Sequence, residues 1–357
     1  MDLLGILTTI GYFIPVIFIV ILVHELGHFL AAKSVGIRVE RFSIGFPPKM
    51  VGRKFGETEY CLSWVPLGGY VKMAGMIDES LDSGKGLTGA PWEFMSKPTW
   101  AKIFVVSAGV IMNFILAFAL YTGVTMARGV GETGAAIVGS LAPGYPAEEV
   151  GLEVGDVVTA IDGAPISTWL EMVDLIHRRP EEPTEIALRR GAEEFSVVVV
   201  PRRGQLPMDG ELVEVGLIGI GPELVFKKVG VGRAVSEGWL STKGAFNLVI
   251  TSIRLLISGQ ASVKDLSGPV GIAKMSAESA KAGMSALLAF VAFISVNIGF
   301  LNILPIPALD GGHLIMVLWE GFARRPISNK VKLAIQQVGM VFILLLMVLI
   351  IFNDFTK

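Results

Sequence analysis

The chain of 357 residues is 52% hydrophobic and only 17% charged, whereas soluble domains are about 25% charged. With a mean hydropathy of +0.63, this composition indicates a membrane protein and excludes an intrinsically disordered one. The net charge of −2 offers no basic surface for nucleic acid. The single cysteine, Cys61, excludes an internal disulfide or a cysteine-rich zinc site, so any metal must be bound by His, Asp and Glu.

Four charge-free apolar runs are long enough to cross a bilayer, which takes about 20 helical residues. The runs are Leu3–Val23, Ile103–Met126, Met284–Leu309 and Leu333–Asn353. The first has no basic start and exceeds the apolar length of a signal peptide, so we expect it to be retained. Lys and Arg are concentrated in 33–102 and 320–332, which predicts that these segments are cytoplasmic. Both termini and the long segment 127–283 are then extracytoplasmic, because long loops translocate largely regardless of charge.

The segment 36–74 is predicted to be rich in β structure and to lie at the membrane. Apolar and polar residues alternate over Val39–Ile44, and a second strand pattern covers Thr58–Val65. A further β element, Tyr70–Met73, follows a turn at Pro66–Gly69. Residues 77–90 are acidic and rich in glycine, which predicts a mobile loop.

Residues 129–203 read as a small soluble α+β domain. We expect strands at Ala136–Leu141 and Val157–Ile161, an amphipathic helix over Thr168–Arg178, and a hairpin around Arg190-Gly191. The predicted buried face of the helix carries Leu170, Val173 and Ile176, and His177 beside it is expected to be solvated.

This stretch resembles a PDZ domain in the permuted bacterial strand order. The resemblance rests on three short motifs, at 146–152, 155–158 and 161–163. PDZ domains bind an extended peptide by strand addition; the alternative is an inert spacer. Residues 204–230 are too few for a second copy.

Residues 231–258 have an amphipathic pattern that includes Trp239, Phe246 and Ile253. We interpret it as a helix lying at the outer membrane interface. A core helix of the soluble domain is the alternative.

The motif His24-Glu25-Leu26-Gly27-His28 lies at the end of the first apolar run. Residues four apart in a helix project from the same face, so the two imidazoles suit a tetrahedral zinc ion. Glu25 can then act as the general base toward water. Ionisable groups in a membrane helix are costly and usually functional, which makes two merely structural core histidines the weaker interpretation.

A catalytic zinc needs a third protein ligand. The third apolar run ends near the cytoplasmic side, so Asp310 lies near the same depth as the two histidines. Pro305 and Pro307 cannot continue a helix, so irregular backbone is expected just before Asp310. Such backbone is tolerated in a membrane only where protein or a watery cavity covers it. His313 is the competing ligand, because imidazole binds zinc well.

Taken together, these features resemble the site-2 protease family, and most closely the bacterial proteases of the regulator of sigma-E type. Besides the zinc motif and Asn302–Gly312, the resemblance rests on Gly68–Met73 and Gly268–Ile272. Two departures are the single PDZ domain and Val110, where the family pattern has proline before the retained Asn113.

The resemblance implies hydrolysis of peptide bonds inside the membrane with one Zn²⁺ per chain. Implied substrates are single-span proteins already cut outside by a first protease, such as anti-sigma factors, or remnant signal peptides. The bilayer of the bacterial inner membrane is the expected setting, with the active site toward the cytoplasmic side and no role for nucleic acid.

A substrate helix must unwind before its carbonyls can be attacked, which directs attention to three further residues. The family resemblance implies that Asn302 holds the freed backbone, with Pro305 and Pro307 also expected at the substrate site; capping of the broken helix is the alternative for Asn302. The β segment near Val39–Ile44 could add the unwound substrate as a strand.

Two other functions are open to the sequence. One is a membrane scaffold with structural zinc, although such a site needs four protein ligands. The other is a metal transporter, although no internal repeat of the transporter kind is seen.

The predicted architecture is a polytopic α-helical membrane protein with four transmembrane helices. The divisions are 1–35 (first span), 36–100 (β segment and loop), 101–127 (second span), 128–204 (PDZ domain), 205–283 (connector with the amphipathic helix), 284–319 (third span with the ligand loop) and 320–357 (cytoplasmic loop and fourth span).

Overall fold

The computed structural model describes residues 3–76, 88–208, 211–262 and 267–356. The chain forms two compact units. The helical unit comprises Met1–Val124, Val235–Ile250 and Ser262–Lys357, and the sheet unit comprises Thr125–Ala234 and Thr251–Ala261. Most of the predicted mobile loop, residues 77–87, lies outside the described residues.

Long helices dominate the helical unit. The chain forms α1 (Leu3–Ser34), α2 (Thr99–Arg128), α5 (Val231–Ile257), α6 (Pro269–Lys281), α7 (Met284–Ile303), α8 (Asp310–Ala323) and α9 (Asn329–Thr356), with a short 3₁₀ turn, η1, at Phe94–Ser96. Among the described residues, five helices have the length and composition to cross a membrane. Three of them, α1, α2 and α9, contain predicted spans, α7 covers the third predicted span only as far as Ile303, and the fifth is α5.

The middle of α5 does not belong to the sheet unit, as it would in a core helix of the soluble domain. Its residues 235–250 belong to the helical unit, where Phe246 contacts Phe114 on α2 and Phe300 on α7. Gly238 lies against Thr122 so closely that a β-carbon would overlap the threonine hydroxyl. The prediction that the chain has four spans, and the prediction that α5 lies at the membrane interface, both remain predictions.

Close helix packing is achieved through small residues. A β-carbon at Gly27 of α1 would lie 2.5 Å from the carbonyl oxygen of Ala108 on α2, so only glycine permits this approach. Buried aliphatic side chains fill the space farther along α1 and α7, including Val16, Val20 and Val291. The region of α1 that carries the zinc motif is thereby held firmly against α2.

The β segment is a pair of long, bent antiparallel strands, β1 (Val39–Phe55) and β2 (Thr58–Met73). Residues 41–44 of β1 pair on one side with 69–72 and on the other with 59–62 of β2. Both edges of residues 41–44 are therefore occupied, so a substrate strand cannot add to these residues themselves. The outer edges of the segment are the second half of β2, at 69–72, and the second half of β1, at 51–54.

The sheet unit is built around an antiparallel sheet. Its strands are β3 (Val130–Leu141), β4 (Val157–Ile161), β5 (Ala164–Pro165), β6 (Thr184–Arg190), β7 (Glu193–Val199) and β10 (Ile220–Lys227), in the order β10-β3-β4-β6-β7 with β5 beside β4. Helices α3 (Pro146–Glu149) and α4 (Trp169–His177) and a separate ribbon, β8 (Arg202–Met208) with β9 (Glu211–Leu217), complete it. The predicted hairpin around Arg190-Gly191 is confirmed.

Helix α4 packs on the sheet through most of its predicted face, since Ile176 is buried and Val173 packs against the core. Thr168 caps the helix and forms a reciprocal capping box with Glu171. The buried residues are Trp169, Met172 and Ile176, whereas Leu170 is 69% exposed. The prediction that Leu170 faces the core is therefore wrong; Trp169, one position earlier, fills that place.

The last strand of the sheet comes from beyond residue 204. Strand β10 pairs along β3, so the sheet unit continues well past the boundary expected from the sequence. The two ends of this region lie together: a β-carbon on Gly129 would contact the backbone of Lys227 and lie 3.0 Å from the nitrogen of Lys228. The chain therefore enters and leaves the sheet at one point.

Candidate metal centre

The two histidines of the zinc motif face the same point. His24 and His28 lie one turn apart on α1, are 6% and 7% exposed, and bring their Nε2 atoms to 3.2 Å. The four-residue spacing on one continuous helix produces this directly, since residues i and i+4 share a face.

Asp310 reaches the same point from the other end of the sequence. Helix α7 ends at Ile303 and α8 begins at Asp310, which confirms the irregular backbone predicted around Pro305 and Pro307. The Oδ2 atom of Asp310 lies 3.1 Å from Nε2 of His24 and 3.3 Å from Nε2 of His28. The three side chains form the one group of potential metal ligands found among the described residues.

Two glycines let α8 begin this close to the end of α7. A β-carbon at Gly311 would overlap the carbonyl oxygens of Ile303 and Leu304, and one at Gly312 would lie 2.5 Å from that of Ile306. The Asp-Gly-Gly sequence thus permits α8 to fold back on the irregular segment. This tight return is what carries Asp310 to the histidines.

The ring nitrogens of both histidines are oriented by their neighbours. His28 Nδ1 lies 2.9 Å from the carbonyl oxygen of Val105, so Nδ1–H donates and Nε2 keeps its lone pair. His24 Nδ1 lies 3.3 Å from the side-chain amide of Asn113, whose Oδ1 has no partner among the described residues. With the amide turned so that Oδ1 faces the ring, it accepts the Nδ1 proton of His24, which leaves Nε2 of His24 unprotonated.

Three electron-pair donors therefore converge with no proton between them. Asp310 Oδ2 is buried and without a hydrogen-bond partner among the described residues, and such an arrangement is repulsive unless a cation lies at its centre. Ligand atoms about 2.0–2.1 Å from a tetrahedral zinc ion are about 3.3–3.4 Å apart. The observed separations of 3.1–3.3 Å match that value, so these residues suit zinc.

Space for this centre depends on Gly109 of α2. A β-carbon there would overlap Nε2 of His28 and lie 2.7 Å from Cε1 of His24. In the sequence, Asn113 stands out only as part of a family pattern, and Gly109 does not stand out. The signals available in the sequence were an amide and a glycine within an apolar run. Neither of them shows how the helix is rotated about its axis.

Glu25 lies beside the three converging side chains and is not one of them. It is half-buried, and the second half of β2 passes over it: a β-carbon at Gly69 would lie 3.1 Å from Cγ of Glu25. Glu25 thus lies under the second half of β2 and follows His24 directly in the helix.

The predicted substrate residues lie at different distances from the centre. The amide of Asn302 is 3.4 Å from Nε2 of His24. Pro307 packs against Gly339 of α9, and Pro305 is exposed. The structure thus brings Asn302 to the histidines, while Pro307 is turned toward α9.

The competing ligand, His313, does not join the group. It is half-buried on α8, and its Nε2 lies 3.1 Å from the side-chain nitrogen of Gln336 on α9, from which it accepts a hydrogen bond. That lone pair is therefore already used. His177, expected to be solvated, is half-buried on α4, and burial lowers its pKa.

Known proteins match this chain over nearly its whole length. The model of peptidase family M50 matches residues 12–346. A Clostridium perfringens protein provisionally named as a zinc metalloprotease is 38% identical over 335 residues, 94% of either chain. The regulator of sigma-W protease RasP of Bacillus subtilis is 29% identical, with 98% of either chain covered. The zinc metalloprotease RasP of Bacillus licheniformis is 29% identical, with 98% of this chain and 99% of the relative covered.

Proposed function

Because the chain belongs to peptidase family M50, the site-2 proteases, it is a zinc metalloprotease, and we propose that His24, His28 and Asp310 bind its zinc ion. The observation that carries this assignment is the convergence of three lone pairs at 3.1–3.3 Å. Three protein ligands leave the fourth tetrahedral position open, as in catalytic zinc sites. A structural zinc in a scaffold protein would need a fourth ligand, and the described residues supply none.

Glu25 is the general base of the proposed mechanism. Zinc, when bound, supplies Lewis acidity toward water and toward the scissile carbonyl. The Glu25 carboxylate takes the proton from the attacking water and then delivers it to the nitrogen of the leaving amine. Asn113 and the carbonyl of Val105 hold the two imidazoles in one tautomer throughout, so the ligands do not reorganise during the reaction.

The substrates we propose are membrane proteins with a single span. His24 and His28 lie on a helix that is long and apolar enough to cross the bilayer, and a site at that depth can be reached by a chain segment already in the membrane. The name of the Bacillus subtilis relative as a regulator of a sigma factor supports regulated intramembrane proteolysis, with anti-sigma factors or remnant signal peptides as substrates.

Substrate backbone must leave its helix before it can be cut, and two features support where it goes. Residues 69–72 of β2 pair with β1 on one side, and no described strand covers the other side. Gly69 in this stretch lies directly above Glu25. The unwound substrate adds to this edge of β2 by main-chain hydrogen bonds, and Asn302, 3.4 Å from His24, holds the backbone near the scissile bond.

The sheet unit is proposed to be a PDZ domain that filters substrates. A cavity of about 390 Å³ lies between α4 and residues 216–221, lined by apolar side chains that include Leu141, Trp169 and Met172. Strand β10, which begins in this stretch, is at the edge of the sheet. A groove between a helix and an edge strand is the feature that PDZ domains use to bind extended peptides.

The protein is an integral membrane protein, and we propose that it lies in the bacterial inner membrane with the sheet unit and both termini outside. The concentration of Lys and Arg in 33–102 and 320–332 supports this orientation. Cysteines introduced near Lys54 and Lys330 should react only with a membrane-permeant reagent. Ready labelling by an impermeant reagent in intact cells would overturn the orientation.

Co-expression with a panel of tagged single-span proteins tests the catalytic assignment. Glu25→Gln should abolish cleavage and keep zinc, because it removes the base and leaves the ligands. Asp310→Ala should lose zinc and activity, whereas His313→Ala should keep its zinc. Loss of zinc in Glu25→Gln, or the reverse behaviour of Asp310 and His313, would refute the assignment.

A further inference from the structure

The segment that carries Asp310 rests on one polar side chain of α9. Gln336 is 4% exposed, and its Oε1 accepts a hydrogen bond of 2.7 Å from the backbone N–H of Ala308. Its Nε2 donates to Nε2 of His313, 3.1 Å away. One buried amide therefore binds the backbone two residues before Asp310 and the side chain three residues after it.

The backbone that Gln336 holds is in an unusual conformation. Ala308 has φ of +71°, a region that residues with a β-carbon rarely adopt because of steric conflict. The neighbouring Pro307 packs on Gly339, where a β-carbon would overlap the proline carbonyl. Residues 336 and 339 lie on the same face of α9, so this face receives the turn through one hydrogen bond and one gap for backbone.

We propose that Gln336 is a positioning residue for the metal centre: by holding Ala308 in its left-handed conformation, it sets where the Asp310 carboxylate lies. The inference rests on the proposed role of Asp310 as a zinc ligand. A change of φ at Ala308 would redirect the chain entering α8, and Asp310 is the first residue of that helix. The fourth predicted span thus contributes to zinc binding without touching the ion.

A glutamine suits this place because it offers both an acceptor and a donor on one planar group. Ala308 needs an acceptor for its buried N–H, and a buried N–H without one is costly. The donor occupies the His313 lone pair, which keeps His313 from replacing Asp310 at the metal. Gln337 is adjacent on the same helix but exposed, and provides a matched control.

The experiment measures zinc affinity of the purified full chain in detergent, by competition with a chelator. Gln336→Met keeps the side-chain length but removes the acceptor, and should weaken zinc binding by about tenfold or more, as loss of residues that orient metal ligands usually does. Gln337→Met should leave the affinity unchanged. Wild-type affinity in Gln336→Met, in a protein that purifies as folded, would overturn the proposal.

A second substitution separates positioning from a general loss of stability. Glycine adopts positive φ at little cost, so Ala308→Gly in the Gln336→Met background should restore most of the lost affinity. If the double variant binds zinc no better than Gln336→Met, the role assigned to the Ala308 conformation is wrong. Asp310→Ala is measured in parallel: zinc retention there would refute the ligand assignment itself, independently of the result for Gln336.

Discussion

The Nδ1 atom of His28 lies 2.9 Å from the carbonyl oxygen of Val105, across the boundary between α1 and α2. This contact fixes the proton on Nδ1 and directs the Nε2 lone pair toward Asp310. Since Val105 and Gly109 are one turn apart on α2, the same stretch of helix both orients the ring and leaves room for it. The face of α2 is therefore part of the metal centre although it supplies no ligand.

Substituting Gly109 with alanine tests this role of α2. The new β-carbon would overlap His28 Nε2 and lie 2.7 Å from His24 Cε1, so we expect Gly109→Ala to lose zinc and activity together. Gly123→Ala on the same helix is the control, because a β-carbon there meets nothing within 4 Å. Metal analysis of the purified variants decides the matter, and normal zinc content in Gly109→Ala would show that the rings do not need this space.

Asn113 should act through the tautomer of His24. Replacing it with leucine removes the acceptor for the Nδ1 proton and should lower zinc affinity by about 10- to 100-fold. Asn113→Asp keeps an acceptor in place and should bind zinc more tightly than Asn113→Leu. Chelator competition measures both, and equal affinities in the two variants would contradict an acceptor role.

These residues show how far the sequence alone reaches. The His24–His28 pair follows from helix periodicity, and Asp310 from the depth of the third span and the prolines before it. Asn113, Gly109 and Gln336 could not be assigned, because their roles depend on how far each helix is rotated about its axis. That rotation is set by packing between distant segments, which no local pattern records.

The same limit explains the errors in the β regions. Strand β10 joins β3 from about 80 residues later in the chain, and such pairing has no local signal, so the soluble domain was predicted to end too early. In β1, alternation predicts a strand at Val39–Ile44 but does not show that β2 bends back to cover both edges of 41–44. On α4, Leu170 and Trp169 are both apolar, and only the packed sheet decides which is buried.

The sheet unit should lose stability in acid through Asp156. This fully buried carboxylate accepts two hydrogen bonds from Arg190, at 2.7 and 2.8 Å, and the guanidinium lowers the pKa of Asp156. Because the pKa is lower in the folded state than in the unfolded one, the stabilisation is complete above the unfolded value of about 3.9 and is lost as the pH falls through the folded value.

Asp156→Asn tests the contribution of this ion pair. It should cost about 1.5–3 kcal/mol at neutral pH, the range for hydrogen bonds to charged groups, and the difference from the wild type should shrink in acid. Hydrogen exchange of the β4 and β6 amides in the full chain, compared with wild type at the same pH, measures it. Asp174→Asn, in an exposed pair with Arg178, should have little effect. A pH-independent difference would argue against the ionised pair.

Removal of the sheet unit tests whether it filters substrates. All the proposed ligands and the base lie outside 125–234, so catalysis should not require it. A deletion of 129–203 would leave β10 without its partner β3. The better deletion is 130–227, because Gly129 and Lys228 already lie side by side and a short flexible linker closes the gap.

The shortened chain should still cut substrates already trimmed outside. It should also cut single-span proteins with large external domains. We expect the intact chain not to cut these proteins, because its sheet unit excludes them. Glu25→Gln in the shortened chain controls for other proteases. If the shortened chain folds and binds zinc but cannot cut a trimmed substrate, the sheet unit is needed for catalysis; if it still refuses untrimmed substrates, exclusion lies elsewhere in the protein.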